Sequence, residues 1–344
     1  MGGVPLVRSP ILLIVCLSIV GCMHRPAEDE VVVYCAVDRE FAQPVLDAFT
    51  QKTGIRVEAK FDTESTKSVA LAEQILRERR RPRCDVFWNN EILHTIRLAR
   101  EGLCRPTTPT QMNHYPSEYH SKENLWHALG ARARVLLVNT DRVKDEQMPR
   151  RLEDLADPKW KGEVGIAKPL FGTTASHVAA LATVLGEDKL VALFDRWIDN
   201  QIRVLSGNKQ VAVDVGTGAL AMGLTDTDDA MGELTAGRPV RIVYLDTKPG
   251  ELGTLLLPNT VSAMADSPNP VAADAFINFL VSKQGEELLN NARCAQIPLH
   301  NESQPNWEPS PKLGMPLMTV DFERAAANWE RVRLMVVRKF GGPT

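Results

Sequence analysis

Val31-Val32-Val33-Tyr34-Cys35-Ala36 is a short apolar run with three consecutive valines, the pattern of a strand covered on both faces in a parallel sheet. The residues after it repeat one step three times. Pro44 opens a helix with Val45, Leu46 and Phe49 on one face, and Gly54 is placed to end it. Ile55 to Phe61 reads as the second strand, followed by a helix carrying Val69, Ala72, Ile75 and Leu76. Its basic end, Arg77 to Arg83, is a solvated C-terminus favoured by the helix dipole. Asp85 to Trp88 is the third strand, and Ile92, Ile96 and Ala99 mark a third helix closed by Gly102. Parallel neighbours need a crossover, so this β-α-β-α-β-α order predicts a doubly wound, mainly parallel sheet.

Working outward, a second series begins near Ala131. Val135 to Val138 and Val164 to Ala167 read as strands, with a helix from about Thr174 to Leu185 and another face at Leu190, Phe194 and Trp197. A short helix from Asn208 stops at Gly216, Leu220 to Leu224 returns as a strand, and Leu255 to Met264 reads as a strand pair. Pro270 starts a helix with Ala273, Phe276 and Leu280, and the tail ends in a helix bearing Phe322, Ala325, Trp329 and Val332. Two similar α/β lobes make a bilobal ligand binder.

In the other direction, Arg8 precedes an apolar run from Ile11 to Val20, with no acidic residue before Glu28. That run is shorter than the roughly 20 residues a spanning helix needs, so it reads as an export signal. Leu17-Ser18-Ile19-Val20-Gly21-Cys22 has the form of a bacterial lipobox. Residues 1–21 are then the lipoprotein signal peptide, Cys22 the lipidated first residue and 22–30 a linker, which anchors the chain to a bacterial membrane on the periplasmic or outer side. Export places Cys35, Cys84, Cys104 and Cys294 where thiols oxidise; four cysteines allow three pairings, and Cys84 and Cys104 are predicted to be close.

The 344 residues are 44% hydrophobic and 24% charged with net charge −3, which excludes disorder as the main theme and argues against a nucleic-acid binder. Enzyme signatures are missing: there is no HExxH, GxSxG or phosphate-loop pattern. Gly216-Thr217-Gly218 precedes a strand and reads as a helix stop. His114 and His120 flank Tyr115 and Tyr119 in a segment that reads first as a solvated loop and second as a metal or ligand lid. The chain is therefore read as a non-enzyme; the competing class is an exported hydrolase with an unrecognised site.

Several stretches in order resemble the extracellular solute-binding proteins of ABC importers, in particular the ferric-iron-binding group of the iron/thiamine/polyamine cluster. They are Val32 to Glu40, Phe49 to Val57, Asp85 to Glu91, Leu98 to Leu103, Asp154 to Gly162, Pro169 to Ser176, Gly253 to Val261 and Ala272 to Gly285. The resemblance implies a two-lobed periplasmic-binding-protein fold with a mixed, mainly parallel sheet in each lobe and a ligand cleft between them. Lobe one would hold 30–130 plus 259–305, and lobe two 131–258 plus 306–344. It also implies a monomer that closes about a hinge and delivers its ligand to a membrane permease and its ATPase subunits.

The resemblance carries residues onto the cleft, and there the sequence departs from the iron binders. Asp38 stands where a His can be offered, Asn90 with Glu91 beside it where a Glu can be, and Thr225-Asp226-Thr227-Asp228-Asp229 where paired tyrosines belong. The implied metal ligands are Asp38, Glu91, Asp228 and Asp229. Ser65, Thr66, Thr173 and Thr174 would donate hydrogen bonds, and Asn90 and Asp226 complete the ligand-binding set. Hard oxygen ligands suit a hard cation, so the expected ligand is Fe(3+) or another metal ion, with or without a synergistic anion, or a small cationic solute. Thiamine, a polyamine or an aminophosphonate are the alternatives on the same fold.

Overall fold

The computed structural model describes residues 1–3, 30–62, 68–290, 294–312 and 314–341. The signal segment, Cys22, Ser65 and Thr66 lie outside the described residues. The chain runs β1 (Glu30–Cys35), α1 (Arg39–Thr53), β2 (Arg56–Phe61), α2 (Val69–Glu78), β3 (Val86–Asn89), α3 (Leu93–Arg100) and β4 (Cys104–Arg105). It continues through β5 (His127–Asn139), β6 (Val164–Ala167), α4 (Gly172–Leu185), α5 (Glu187–Asp199), β7 (Arg203–Leu205), α6 (Asn208–Gly216) and β8 (Met222–Asp226). The remainder is α7 (Thr227–Thr235), β9 (Val240–Val243), β10 (Leu256–Met264), α8 (Pro270–Leu280), α9 (Lys283–Leu289) and α10 (Phe322–Phe340).

The strands follow the order β2-β1-β3-β10-β5-β8-β6-β7, with β4 on β10 and β9 on β5. At one end β1 pairs in parallel with β2 and β3, and at the other β6 pairs in parallel with β7 and β8. Two long antiparallel strands, β5 and β10, join these halves. Strand β5 pairs with β10 from His127 to Ala133 and with β8 and β9 from Arg134 to Asn139, so one strand passes from the first lobe into the second. The Leu255 to Met264 segment is thus a single crossing strand, not a pair; its apolar run is buried along its whole length.

Gly130 is the extra residue at the irregularity opposite Pro258 and Asn259, with φ +40°. Its N–H donates to Glu286 at 2.8 Å and its carbonyl accepts from Asn259 Nδ2 at 2.6 Å. A bulge of this kind bends a strand, and glycine meets the positive φ without strain.

Two large apolar clusters form the core, and the first runs on along β5 to Val215, Met231 and Ile242. Phe49, Trp88, Phe276 and Phe279 anchor one, and Trp160, Phe194 and Trp197 the other, which also receives Trp329, Val332 and Val336 of α10. Phe276 meets Phe49 edge-on with centroids 5.0 Å apart, the orientation aromatic quadrupoles favour. Among the described residues no helix is long and apolar enough to cross a membrane.

Cys84 and Cys104 do not bridge; both are free thiols. Met264 of β10 pairs with Cys104 on one edge, while its N–H donates to Asp85 on the other. Strand β10 therefore separates the two cysteines. Two interstrand spacings of about 4.8 Å each place their Cα atoms beyond the roughly 7 Å a disulfide tolerates.

One buried carboxyl gives a stability prediction. Asp246 is 4% exposed and accepts the Leu152 N–H, and burial, with Glu153 and Glu251 nearby, pushes its pKa up to about 6. The folded protein then holds a proton that the unfolded chain releases near pH 4, so stability falls as pH rises from about 4 to 6. Asp246→Asn is expected to raise stability at pH 7.5 by about 1 kcal/mol, with the difference from wild type disappearing below pH 4 in urea unfolding.

Candidate functional site

The strands β3, β6, β7 and β8 all end on the side of the sheet where open α/β folds bind ligands. The residues that follow them supply Asn90, Lys168, Phe171 to Thr174, Ser206 to Asn208, Asp228 and Asp229, with Asp226 at the end of β8, to one small cavity of about 30 Å³, and Arg132 of β5 stands in its wall. A larger cavity of about 690 Å³ shares Asp228 and Asp229 and opens between Asp38 to Phe41 and the α6–α7 surface. The two form the inner and outer parts of one cleft.

The inner part is organised around a carboxylate held by arginines. Asp226 ends β8 directly opposite Arg134 of β5, and Arg134 Nη1 donates to Asp226 Oδ1 at 2.6 Å. Arg132, two residues back and so on the same face, lies 3.6 Å from Asp226 and 3.3 Å from Asp228. Its other nitrogen donates to the Asn90 carbonyl. Asp226 also accepts from Thr173 and from Asn208 Nδ2 at 3.1 Å, and Thr174 donates to Asn208 at 3.0 Å.

These contacts set the charges. Burial by itself would raise the Asp226 pKa, but Arg134, Arg132 and the Thr173 hydroxyl outweigh it and hold the carboxyl below its ordinary value. Burial works against Arg132 too, yet Asp228, Asp226, Asp38 and Asp229 raise its pKa above normal. His177 lies beneath, and burial together with Arg134 lowers it to about 3, so it is neutral. Arg132 and Arg134 are each 4% exposed, and Nε of both has no partner.

Asn90, Thr173, Thr174, Asp226, Asp228 and Asp229 therefore line the inner cavity, and Asp38 lines the outer one. Glu91 lines neither. It is 1% exposed, its Oε1 accepts from Asn89 and the His94 N–H at 2.8 and 3.0 Å, and its Oε2 accepts from Ser176 at 2.8 Å and from the Leu93 N–H. It caps the start of α3 and ties it to α4, so all its capacity is used by the protein. The three aspartates gather as expected, with one carboxylate oxygen of each within 4.8 Å of the others. Two buried guanidinia face them, however, so the cluster is not an unopposed cation trap.

Arg132, Arg134, Lys168, Ser206 and Asn208 are the residues the sequence reading missed. Two arginines at i and i+2 inside an otherwise apolar run, Ala131-Arg132-Ala133-Arg134-Val135, were the available signal, because a buried charge needs a partner. The outer cleft is acidic, with Asp38, Glu40, Asp228, Asp229 and Glu233 against Arg39 and Lys209. The inner end is rich in donors: Arg132 of β5 and Lys168 after β6 join Thr173, Thr174 and Asn208, which stand in the first turns of α4 and α6, where backbone N–H groups also favour an anion. Asp226, Asp228 and Asp229 line this end too, so the cleft is bipolar: donors meet the aspartates inside, and the outer part is acidic.

Comparison with known proteins gives a consistent picture. The family model described as bacterial extracellular solute-binding protein matches residues 95–328. The major ferric iron-binding protein of Neisseria meningitidis is 28% identical over 308 residues, covering 85% of this chain and 88% of that protein. Iron-bound HitA from Pseudomonas aeruginosa superposes with a TM-score of 0.78 at 22% identity, over 89% of this chain and 99% of that one. The periplasmic binding protein AfuA from Actinobacillus pleuropneumoniae, with fructose-6-phosphate bound, gives 0.78 at 23% identity over 90% and 98%. The last two establish the two-lobed fold.

Proposed function

Because this chain belongs to the bacterial extracellular solute-binding protein family, we propose that it is the substrate-binding component of an ABC importer and captures ferric iron together with a small anion in the bipolar cleft. It is an exported binding protein, not an enzyme. The bipolar lining carries this reading: an acidic outer cleft for the cation and a donor-rich inner end for the anion. The iron proteins among its relatives support the metal, and an inner cavity of about 30 Å³ suits an ion better than a thiamine ring.

The ligand set we assign is Asp38, Asp228 and Asp229 for the metal, with Asn90, Arg132, Thr173, Thr174 and Asn208 for the anion. Ser65 and Thr66 keep their place as donors on sequence grounds. Lobes of 30–130 plus 259–305 and 131–258 plus 306–344 close about the crossing strands near Gly130, and the closed form is what a permease and its ATPase subunits receive. Lipidation at Cys22 holds the monomer at the membrane. One observation favours a second reading: Arg132 and Arg134 already balance much of the acidic charge, which suits a zwitterion such as an aminophosphonate.

None of the four tyrosines, Tyr34, Tyr115, Tyr119 and Tyr244, lines either cavity. Iron-loaded protein is therefore expected to lack an intense visible tyrosinate band. Native mass spectrometry of protein purified without refolding is expected to show one iron and one small anion per chain; a deep colour on loading would contradict the ligand set.

A further inference from the structure

We propose that His114, His300 and Glu302 form a second metal site, apart from the cleft, for a divalent transition-metal ion of the zinc, copper or nickel type. One ligand atom from each of the three lies within 4.8 Å of the others. His114 ends the 3-10 turn Met112–His114, and its Nδ1 is 3.4 Å from Glu302 Oε1. The backbone holds the two segments together, since the Asn301 N–H donates to the His114 carbonyl at 2.9 Å.

His300 supplies the observation that points to a ligand. It is 2% exposed, its Nδ1 accepts the Glu302 N–H at 3.3 Å, and its Nε2 is buried with no partner. A buried polar nitrogen left unpaired costs free energy; a metal ion at Nε2 recovers it once the ring's one proton passes to Nδ1, which gives up the long contact with the Glu302 N–H. Two imidazoles and a carboxylate are the donor set that zinc and its neighbours prefer.

The two rings are stacked, with centroids 4.8 Å apart and planes 10° from parallel. A metal lies in the plane of each imidazole it binds, so loading turns the half-exposed His114 ring out of the stack. Glu302 moves with it, leaving Lys283, now 3.8 Å away. With three protein ligands and a water, the ion would staple the segment before β5 to the segment that bridges Ala131 through Ile297. The sequence flagged His114 together with His120, but His120 instead faces His127 across an isolated bridge.

The test is zinc titration, by calorimetry, of full-length protein stripped with chelator, comparing wild type with His114→Ala, Glu302→Gln and the cleft variant Asp228→Asn/Asp229→Asn. The site predicts one zinc ion that survives in the cleft variant, is weakened at least tenfold by either surface variant, and shows two imidazole ligands by X-ray absorption. Both surface substitutions avoid the buried His300, and circular dichroism confirms that each variant is folded. Zinc binding that is absent from wild type, unchanged by His114→Ala and Glu302→Gln, or lost only in the cleft variant would overturn the site. None of these outcomes depends on what the cleft itself binds.

Discussion

Arg134→Met is expected to destabilise the protein by about 3–5 kcal/mol, because it strips a fully buried carboxylate of its closest counter-charge. Asp226 is 1% exposed and Arg134 is its direct cross-strand partner at 2.6 Å. Arg132 at 3.6 Å is too far to replace that contact. The double variant Arg134→Met/Asp226→Leu should recover most of the loss, since an apolar pair of similar volume often matches a buried ion pair in stability. Acid gives a second handle. The Asp226 pKa is depressed in the folded state, so its stabilisation is present above about pH 4 and is lost as pH falls through the folded value. Urea unfolding of both variants at pH 7 measures the effect; a loss below 1 kcal/mol in the single variant would show that the pair does not organise the inner cleft.

Asp228→Asn/Asp229→Asn is expected to weaken cation binding by about a hundredfold or more, since each charged contact contributes roughly 1.5–3 kcal/mol. Some stability is lost as well, because the buried Arg132 loses its nearest carboxylate and keeps Asp226 at 3.6 Å. Asp228 sits in the first turn of α7 and faces Arg132 at 3.3 Å, and Asn preserves its shape and an acceptor while removing the charge. Both residues line the inner and outer cavities together, so their charge acts where the two parts of the cleft meet. Unchanged affinity in a folded double variant would place the ligand elsewhere.

Much of this fold is legible in the sequence because periodicity and punctuation are local signals. Val164 to Ala167 is read as a strand and is β6; Asn208 and Gly216 bound a helix in both. The crossing strands are harder. His127 to Ala133 contains a glycine and an arginine, so its apolar pattern is broken although all of β5 is buried, and the length that makes β5 a connection between lobes is lost. In the site, Thr173, Thr174 and the three aspartates are legible because they follow apolar strands. Arg132 and Arg134 belong to a pairing across 92 residues between β5 and β8, and no local pattern states which charge a buried arginine meets. Glu91 shows the reverse: its position in the chain suggests a ligand, while its two oxygens already cap α3 and bind Ser176.

The central claim is that the cleft takes a cation and an anion together. Thermal-shift titration of the chelator-stripped protein with ferric citrate, ferric iron plus phosphate, phosphate alone and an aminophosphonate tests it most directly. Ligand that binds only the folded state at a thousandfold excess over Kd adds about 4 kcal/mol, so the paired ferric and anion conditions should raise Tm by about 5 °C or more, with phosphate alone giving far less. A Tm that stays unchanged in every one of these conditions would contradict the account.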